Sequence, residues 1–442
     1  MKRLIFLAFF IASLLKSASF ADVLPIQPFS TPSGIDVWLV EDHSSPVVSM
    51  IASFQKGDVT TPYAPVTMLL QAALLAGGGI LNPLEMDRFR KETPAEFSLN
   101  LGFSNTNLNI KTTRESFKTV LSLWVKLLQS PDFTKADLGF AKSQALELLS
   151  RFAEDDEREA YLNLLQGIFP QVAFKANFKE GIEKISTITP EDLNVEVKSL
   201  FLSARPKIVV VGDITQKDLL QLLEETMGAL PLPVKTPAKS VFKPQWTAKE
   251  EIIKKVAPQA MVAFGQPGMS PLNKDYSKYL LLEYVIQGRL YDELRDKRGL
   301  IYGIQEFSMH LPQTDVLLGD FSCDCGNAQK IAKFIRSEWE RLKDFGITER
   351  ELTSAKLTFK RAQILSLTST SAVAHEYIDP LIFDLGPQAA KNQLEETEKV
   401  TLEEMNNFVQ DFLKPELLSF VLIGPADKKQ SEKESKDATS KS

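Results

Sequence analysis

The chain has 442 residues, of which 57 are acidic and 51 are Lys or Arg, so its formal charge is −6 at pH 7. An acidic chain without a basic stripe is a poor nucleic-acid binder, because neutralisation of phosphates supplies most of that affinity. The apolar content of 44% is ordinary for a globular protein and excludes disorder over the bulk of the chain.

The first 21 residues have the pattern of a secretory signal peptide. Lys2 and Arg3 precede an apolar run from Leu4 to Leu15, and small residues lead to Ala21. This run is shorter than the roughly 20 residues of a membrane span, and no later segment approaches that length. Because the signal holds three basic residues and no acid, its removal changes the formal charge from −6 to −9. We therefore expect an exported chain that starts near Asp22 and does not enter a membrane, with retention as a signal anchor as the alternative.

Capping residues and hydrophobic spacing predict several helices and strands. Helix N-termini are predicted at four places, namely Asn82 with Glu85, Thr134 with Asp137, Thr215 with Asp218, and Thr348 with Glu351. The apolar spacing over 136–153 predicts a long amphipathic helix. Residues 99–110 alternate between apolar and polar side chains and predict one half-buried strand. The β-branched run Lys207–Gly212 predicts a second, buried strand.

Two stretches, 188–213 and 400–425, align without a gap at a constant offset of 212 residues. The matched positions are Thr189 with Thr401, Asp192 with Glu404, Leu193 with Met405, Val197 with Val409, Val209 with Val421, and Gly212 with Gly424. Each stretch has the pattern of a capped helix followed by an apolar strand that ends at glycine. Solenoid repeats have periods of about 20 to 50 residues, so this longer period indicates a duplicated domain. Convergence on a common helix–strand unit is the alternative.

The 421 residues after the signal exceed what one hydrophobic core usually serves. We predict two similar α+β domains, each a largely antiparallel sheet with helices on one face. The prolines between the halves favour an extended connector, and the last residues are too polar to pack. The predicted boundaries are a signal peptide over 1–21, an N-terminal domain over 22–228, a proline-rich linker over 229–247, a C-terminal domain over 248–425 and a disordered tail over 426–442.

The only cysteines are Cys323 and Cys325. Side chains two residues apart on a strand point to the same face, and bridging them would strain the disulfide. We therefore interpret them as core or edge thiols on a strand. A three-ligand metal set of both cysteines with His310 is the alternative; the other histidines, His43 and His375, lie far apart in the sequence.

The segment Arg289–Tyr302 reads RLYDELRDKRGLIY. It resembles the C-terminal-domain signature of the pitrilysin/insulinase metallopeptidase family, a run of the type R-L-x-x-x-L-R-x-x-x-G-L-x-Y. The duplicated halves and the linker agree with that family over essentially the whole mature chain. The resemblance implies two homologous domains that form half of a clamshell chamber. It also implies that Arg295 and Tyr302 contact the substrate peptide, through guanidinium and phenol donors. The alternative is that Arg295 pairs with a helix neighbour and Tyr302 packs in the sheet.

The family's metal motif is H-x-x-E-H on a first-domain helix, with two zinc-binding histidines and a glutamate that activates water. The matching segment here is 64–76, where Thr67 and Gln71 stand in the histidine positions and Leu70 in the glutamate position. Glu147 matches the third zinc ligand, and a helix-face glutamate is its other interpretation, with Glu154 as a second match. We predict that the chain has no catalytic residue, holds no metal and retains Glu147 only as a possible remnant. Gly77 to Gly79 read as a helix end and turn rather than a phosphate loop.

Three functions remain open from the sequence. The resemblance favours a non-catalytic subunit of a heterodimeric peptidase, with zinc and the H-x-x-E-H motif on a paralogous partner. A peptide- or protein-binding scaffold with the same two-domain shape is the second hypothesis, and an independent hydrolase of another chemistry is the third. Export to the periplasm is the expected localisation, with secretion as the alternative.

Overall fold

The computed structural model describes residues 25–56, 59, 61–134, 136, 138–174, 177–231, 243–311 and 314–424. The predicted signal peptide, the predicted tail and the linker prolines Pro233 and Pro237 lie outside these ranges, as does Asp137. Within the described ranges, no helix is both long enough and apolar enough to cross a membrane.

The N-terminal half is built on a six-stranded sheet in the order β1-β2-β6-β3-β5-β4. Its strands are β1 (Ile26–Ser30), β2 (Asp36–Glu41), β3 (Val47–Gln55), β4 (Ala95–Leu101), β5 (Asn105–Thr113) and β6 (Lys207–Gly212). All neighbouring strands are antiparallel except β2 and β6, which are parallel. The predicted strand Lys207–Gly212 is therefore confirmed as β6, in the middle of the sheet, where its β-branched run is buried.

The C-terminal half contains a five-stranded sheet in the order β7-β11-β8-β10-β9. Its strands are β7 (Glu250–Ile253), β8 (Ala260–Pro267), β9 (Ile301–Leu311), β10 (Thr314–Cys323) and β11 (Ser419–Ile423). Only the β7–β11 pair is parallel. This is the order of the first sheet without a counterpart of β1, so the largely antiparallel α+β architecture predicted for both halves is confirmed.

The helices follow the order of the chain. In the N-terminal half they are α1 (Pro65–Leu75), α2 (Pro83–Glu92), α3 (Arg114–Gln129), α4 (Leu138–Ala153), α5 (Asp156–Ile168), α6 (Phe178–Lys184), α7 (Pro190–Phe201) and α8 (Gln216–Glu225). In the C-terminal half they are α9 (Tyr276–Tyr291), α10 (Ala328–Phe345), α11 (Glu349–Leu365), α12 (Thr370–Ile382), α13 (Ala389–Lys399) and α14 (Leu402–Phe412). A π-helical turn, Asp292–Asp296, extends α9.

The two aligned stretches have the same local structure. Thr189 and Thr401 each close a capping box, at the N-termini of α7 and α14. These helices lead to β6 and β11, which occupy equivalent places in their sheets. Gly212 has φ of 137° and Gly424 has φ of 92°. Such angles favour glycine because an L side chain is strained there, which explains why both strands end at this residue.

Each half places one helix on the sheet of the other half. Helix α5 of the N-terminal half packs on β8 and β11, and α12 of the C-terminal half packs on β6 and β3. Two buried clusters result, one joining α5 to the second sheet and the other joining α12 to the first sheet. Each sheet thus has its own helices on one face and a borrowed helix on the other. The sequence predicted helices on one face of each sheet, and the structure adds a helix from the other half on the second face.

Polar contacts reinforce the exchange. The Lys207 ammonium donates to the carbonyl oxygen of Leu381 at 2.9 Å and pairs with Asp384 at 2.5 Å. The hydroxyls of Ser49 and Thr370 lie 2.8 Å apart. On the opposite side, the Lys255 ammonium contacts the carboxylate of Glu159 at 3.5 Å. The two halves are therefore joined by hydrogen bonds and ion pairs as well as by apolar packing.

One predicted strand was wrong. Residues 99–110 belong to two strands, β4 and β5, which form a hairpin turning at Gly102. The backbone N–H of Gly102 donates to the carbonyl of Asn105 at 2.8 Å. The alternation of apolar and polar residues continues along both arms of the hairpin, so the pattern alone did not reveal the turn.

Three of the predicted helix starts are confirmed at Asn82, Thr215 and Thr348, whose side chains accept hydrogen bonds from the third helical N–H. The helix predicted over 136–153 starts at Leu138. The predicted linker limits, 229 and 247, stay predictions; within the linker, the N–H of Gln245 donates to the carbonyl of Ile168 at 2.7 Å.

Candidate functional site

Helix α1 carries the positions that correspond to the family's metal motif. It begins at Pro65, whose fixed φ suits the first turn of a helix, and it ends before three glycines with positive φ. Gly79 cannot carry a Cβ, which would lie 2.0 Å from the carbonyl oxygen of Asp132. The prediction of a helix end and turn at these glycines is confirmed.

The three motif positions are all engaged in the fold. Thr67 is 3% exposed and donates a hydrogen bond from its hydroxyl to the carboxylate of Glu196 on α7. Leu70 is 1% exposed and packs in the core. The Nε2 of Gln71 donates to the carbonyl of Leu99 on β4 at 2.7 Å. A neutral hydroxyl, an alkyl group and a committed amide do not fit a zinc ion, which needs imidazole, thiolate or carboxylate ligands.

Glu147 lies on α4, which packs against α1, but its side chain is directed to solvent. It is 67% exposed and pairs with Arg151, one turn further along the same helix, at 3.1 Å. Among the described residues, no three His, Cys, Asp or Glu side chains come together as a potential metal site. Glu147 therefore has the environment of a helix-face glutamate, which was the other interpretation of this residue.

A cleft of about 370 Å³ lies beside α1, between α2 and α4. Its lining includes the polar side chains of Gln71 and Gln144 and the apolar side chains of Phe140 and Leu148. Its charged groups are the side chains of Asp87 and Arg90 on α2. The cleft could therefore accept an apolar side chain of a bound peptide, but it contains no base positioned beside a nucleophile.

The signature segment divides into a structural part and an exposed part. Arg289 forms a two-point ion pair with Glu351 of α11, with N–O distances of 2.8 and 2.9 Å. Leu290 and Leu294 are buried. Gly299 has φ of 61°, which allows the chain to turn into β9. These residues fix the end of α9 against α11 and the start of β9.

Arg295 and Tyr302 form the exposed part. The Arg295 guanidinium lies 4.8 Å above the Tyr291 ring and donates to its hydroxyl, so Arg295 does contact a helix neighbour. It forms no ion pair with any carboxylate of the described residues. Tyr302 is 74% exposed at the start of β9, an edge strand of its sheet, so it does not pack in the sheet.

The basic residues next to Arg295 are already paired. The ammonium of Lys297 contacts Glu293 at 2.7 Å, and the guanidinium of Arg298 contacts the same carboxylate at 3.3 Å. These contacts lower the pKa of Glu293 below its ordinary value, chiefly through the hydrogen bond from Lys297. Arg295 is therefore the cation of this turn whose donors remain accessible to a peptide carbonyl.

The alternative metal set of His310, Cys323 and Cys325 is wrong. His310 Nδ1 lies 2.6 Å from an Asp315 carboxylate oxygen, across the β9–β10 hairpin. Cys323 is at the far end of β10, opposite Ile301. Cys323 is buried and Cys325 follows in a short turn, outside the strand; both are free thiols. Burial, first, and the neighbouring Cys325 and Asp324 raise the pKa of Cys323 to about 12.

The sequence did not reveal two groups of polar contacts. The first comprises the partners of the motif positions, Glu196 and the Leu99 carbonyl, which are distant in sequence and carry no motif. The second comprises two acids that face each other, Glu283 on α9 and Glu306 on β9. Both carboxylate oxygens of Glu306 are buried without a hydrogen-bond partner among the described residues, and Glu283 accepts a hydrogen bond from Ser308 at 2.6 Å.

Comparison with known proteins identifies related chains. Residues 187–359 match the family model described as the peptidase M16 inactive domain. The chain is 25% identical over 341 residues to the "non-peptidase homolog YmxG" of Helicobacter pylori, covering 74% of this chain and 77% of that protein.

Two solved structures share the fold. The peptidase M16 inactive domain from Pseudomonas fluorescens is similar, with a TM-score of 0.78 and 19% identity, over 91% of this chain and 98% of that chain. The periplasmic protease PqqL from Escherichia coli has a TM-score of 0.71 and 17% identity, over 91% of this chain but 45% of that chain. These matches agree with the resemblance of the sequence to the pitrilysin/insulinase (M16) metallopeptidase family, whose metal-motif positions are filled here by Thr67, Leu70 and Gln71.

Proposed function

We propose that this chain is exported to the periplasm and acts there as the non-catalytic subunit of a heterodimeric zinc peptidase. In this proposal a paralogous partner chain bears H-x-x-E-H and the zinc ion, and this chain contributes peptide binding through Arg295 and Tyr302. This chain binds no metal in the complex.

The observation that carries the proposal is the contrast between the metal-motif positions of α1 and the signature segment Arg289–Tyr302. At the metal motif, the side chains of Thr67 and Gln71 are used in hydrogen bonds within the fold. At the second signature, Arg295 has no carboxylate partner among the described residues, and Tyr302 projects into solvent. A chain that has lost its catalytic groups but keeps accessible peptide donors fits a subunit that binds substrate for another chain.

Chain length supports the same arrangement. Most of this chain corresponds to 45% of PqqL, a protein described as a periplasmic protease. A chain of this size therefore matches about half of such a protease, and a second chain would supply the other half of a closed chamber. The periplasmic location is proposed from the signal pattern of residues 1–21.

A non-enzymatic scaffold that binds peptides or proteins is the second candidate. The name of the Helicobacter pylori relative, a non-peptidase homolog, favours it. The two candidates differ in their partner: the subunit needs a zinc-bearing paralogue, whereas the scaffold does not.

Affinity purification of the tagged mature chain from its native compartment tests the proposal. We expect a stoichiometric chain of similar size that carries H-x-x-E-H, with one zinc ion per pair and peptidase activity in the pair. Recovery of a metal-free homodimer or a lone monomer would overturn the proposal and favour the scaffold.

A further inference from the structure

A cavity of about 390 Å³ lies at the junction of the two halves, away from Arg295 and Tyr302. The N-terminal half contributes the end of β3, the β4–β5 turn and α5, and the C-terminal half contributes β9 and the end of α12. Cavities between domains with apolar walls and a few converging polar groups are common ligand sites, with volumes of about 300 to 1,000 Å³.

Aromatic rings form the walls of this junction cavity. The ring of Tyr161 lies 6.4 Å from that of Phe103 and 6.0 Å from that of Phe307, centroid to centroid. On the other side, the ring of Phe383 lies 5.5 Å from His310, in an edge-on arrangement. Aromatic residues of both halves thus line one half-open cavity.

The charged groups of the junction cavity are Lys56 and Asp379. The Lys56 ammonium donates to the carbonyl of Gly102 at 2.7 Å, so one of its donors is directed at the protein backbone. The Asp379 carboxylate is exposed to the cavity and forms no hydrogen bond or ion pair within the described ranges. Asp379 is therefore the charged side chain of this cavity whose hydrogen-bonding capacity is unused among the described residues.

The surroundings are acidic as well. The carboxylates of Glu283, Asp315 and Asp379 all act on the neighbouring Tyr276, and after burial they are the causes that raise its pKa. The His310 ring is held by Asp315 through Nδ1, and its Nε2 lies 3.4 Å from the Tyr276 hydroxyl. These carboxylates favour a cationic over an anionic ligand on the side of the cavity lined by His310 and Asp379.

We propose that the half-open junction cavity binds an organic cation, an alkylammonium or guanidinium group, that pairs with Asp379 and contacts the rings of Phe103, Tyr161, Phe307 and Phe383. The negative faces of aromatic rings attract such cations, and an unpaired carboxylate adds a charge-assisted hydrogen bond. The cation is either a basic side chain of a peptide or a free diamine, since both present the same group. The proposal does not depend on the peptidase partner.

Isothermal titration calorimetry on the mature chain tests this site. Its four probes are N-acetyl-arginine amide, N-acetyl-lysine amide, cadaverine and the neutral N-acetyl-norleucine amide. We expect the cationic probes to bind and the norleucine probe to bind at least tenfold more weakly, because it lacks the charge. Tighter binding of cadaverine than of the capped amino acids identifies a free amine as the ligand; the reverse order identifies a peptide side chain.

Two substitutions and one control make the test specific. We expect Asp379→Asn to weaken cation binding about tenfold or more, as loss of a charged hydrogen bond would, and Phe383→Leu to weaken it by a smaller factor. Asp344→Asn, at an exposed site on α10, is the matched control and leaves binding unchanged. Equal binding of lysine and norleucine probes, failure of every cationic probe to bind, or full binding by a folded Asp379→Asn protein would overturn the proposal.

Discussion

The Nε2 of Gln71 donates a hydrogen bond to the backbone carbonyl of Leu99 at 2.7 Å, tying helix α1 to edge strand β4. Gln71 occupies the position of a family zinc ligand, so the side chain there now has a structural use. Removal of the Gln71 side-chain amide leaves the Leu99 carbonyl of this edge strand without this donor.

We therefore expect Gln71→Ala to lower the free energy of unfolding by about 1 kcal/mol, the usual contribution of one intramolecular hydrogen bond. Urea denaturation monitored by circular dichroism measures this free energy. Gln144→Ala is the control, because Gln144 lines the same cleft from an exposed position on α4. An equal loss in the two variants would contradict a specific role for the Gln71 amide.

The exchange of helices between the halves predicts a stability effect at Lys207. Its ammonium, 16% exposed, holds the end of α12 through the Leu381 carbonyl and Asp384. Lys207→Met should lower the free energy of unfolding by about 2 kcal/mol, the scale of a hydrogen bond from a charged donor. The exposed Lys217→Met on α8 serves as the comparison and should change it by less than about 0.5 kcal/mol. Indistinguishable urea midpoints would show that the contact is not stabilising.

The buried Glu306 carboxyl predicts a pH dependence. Burial, and then the neighbouring Glu283, raise the pKa of Glu306 well above its ordinary value. In the unfolded chain this carboxyl loses its proton at about pH 4.3, whereas in the folded chain it stays protonated to a higher pH. The free energy of unfolding therefore decreases as the pH rises from about 4.3 to the raised pKa of Glu306.

Glu306→Gln removes that proton equilibrium. The melting temperature of this variant should exceed that of the parent chain at pH 8, and the two should converge near pH 4. Glu340→Gln, at an exposed position on α10, is the matched control. A gain that is the same at both pH values would assign the effect to packing instead of charge.

The two thiols should differ in reactivity. Cys323 is buried with its pKa raised to about 12, whereas Cys325 is partly exposed. Because the thiolate is the reactive form, Ellman's reagent at pH 8 should label one thiol quickly in the folded chain and two after unfolding. The fast thiol should disappear in Cys325→Ala and persist in Cys323→Ala. Rapid labelling of both thiols in the folded chain would contradict the buried position of Cys323.

Local patterns were sufficient for elements whose signals are contained in a few residues. The β-branched run Lys207–Gly212 and the capping pair of Thr348 with Glu351 lie where they were predicted. The β4–β5 hairpin was missed because alternation is the same on both arms and only Gly102 marks the turn. The exchange of α5 and α12 was not predictable, because an amphipathic helix does not show in its sequence which sheet it will cover.

The same limit applies to the candidate site. The metal-motif match located Thr67, Leu70 and Gln71, and the signature located Arg295 and Tyr302. The hydrogen-bond partners of Thr67 and Gln71 are distant in sequence. Thr67 meets Glu196, which is 129 residues further along the chain. The junction cavity likewise forms only when both halves fold together, so no local motif predicts it.

The peptidase rate of the proposed heterodimer, measured with Arg295→Ala in this chain, tests the central claim most directly. We expect kcat/KM for a peptide to fall about tenfold, since one charged hydrogen bond to the substrate is lost, while zinc content and assembly stay unchanged. Arg350→Ala, an exposed arginine of the same half, should retain the full rate. Full activity in the Arg295→Ala complex, or collapse of its assembly, would contradict a substrate-binding role for this chain.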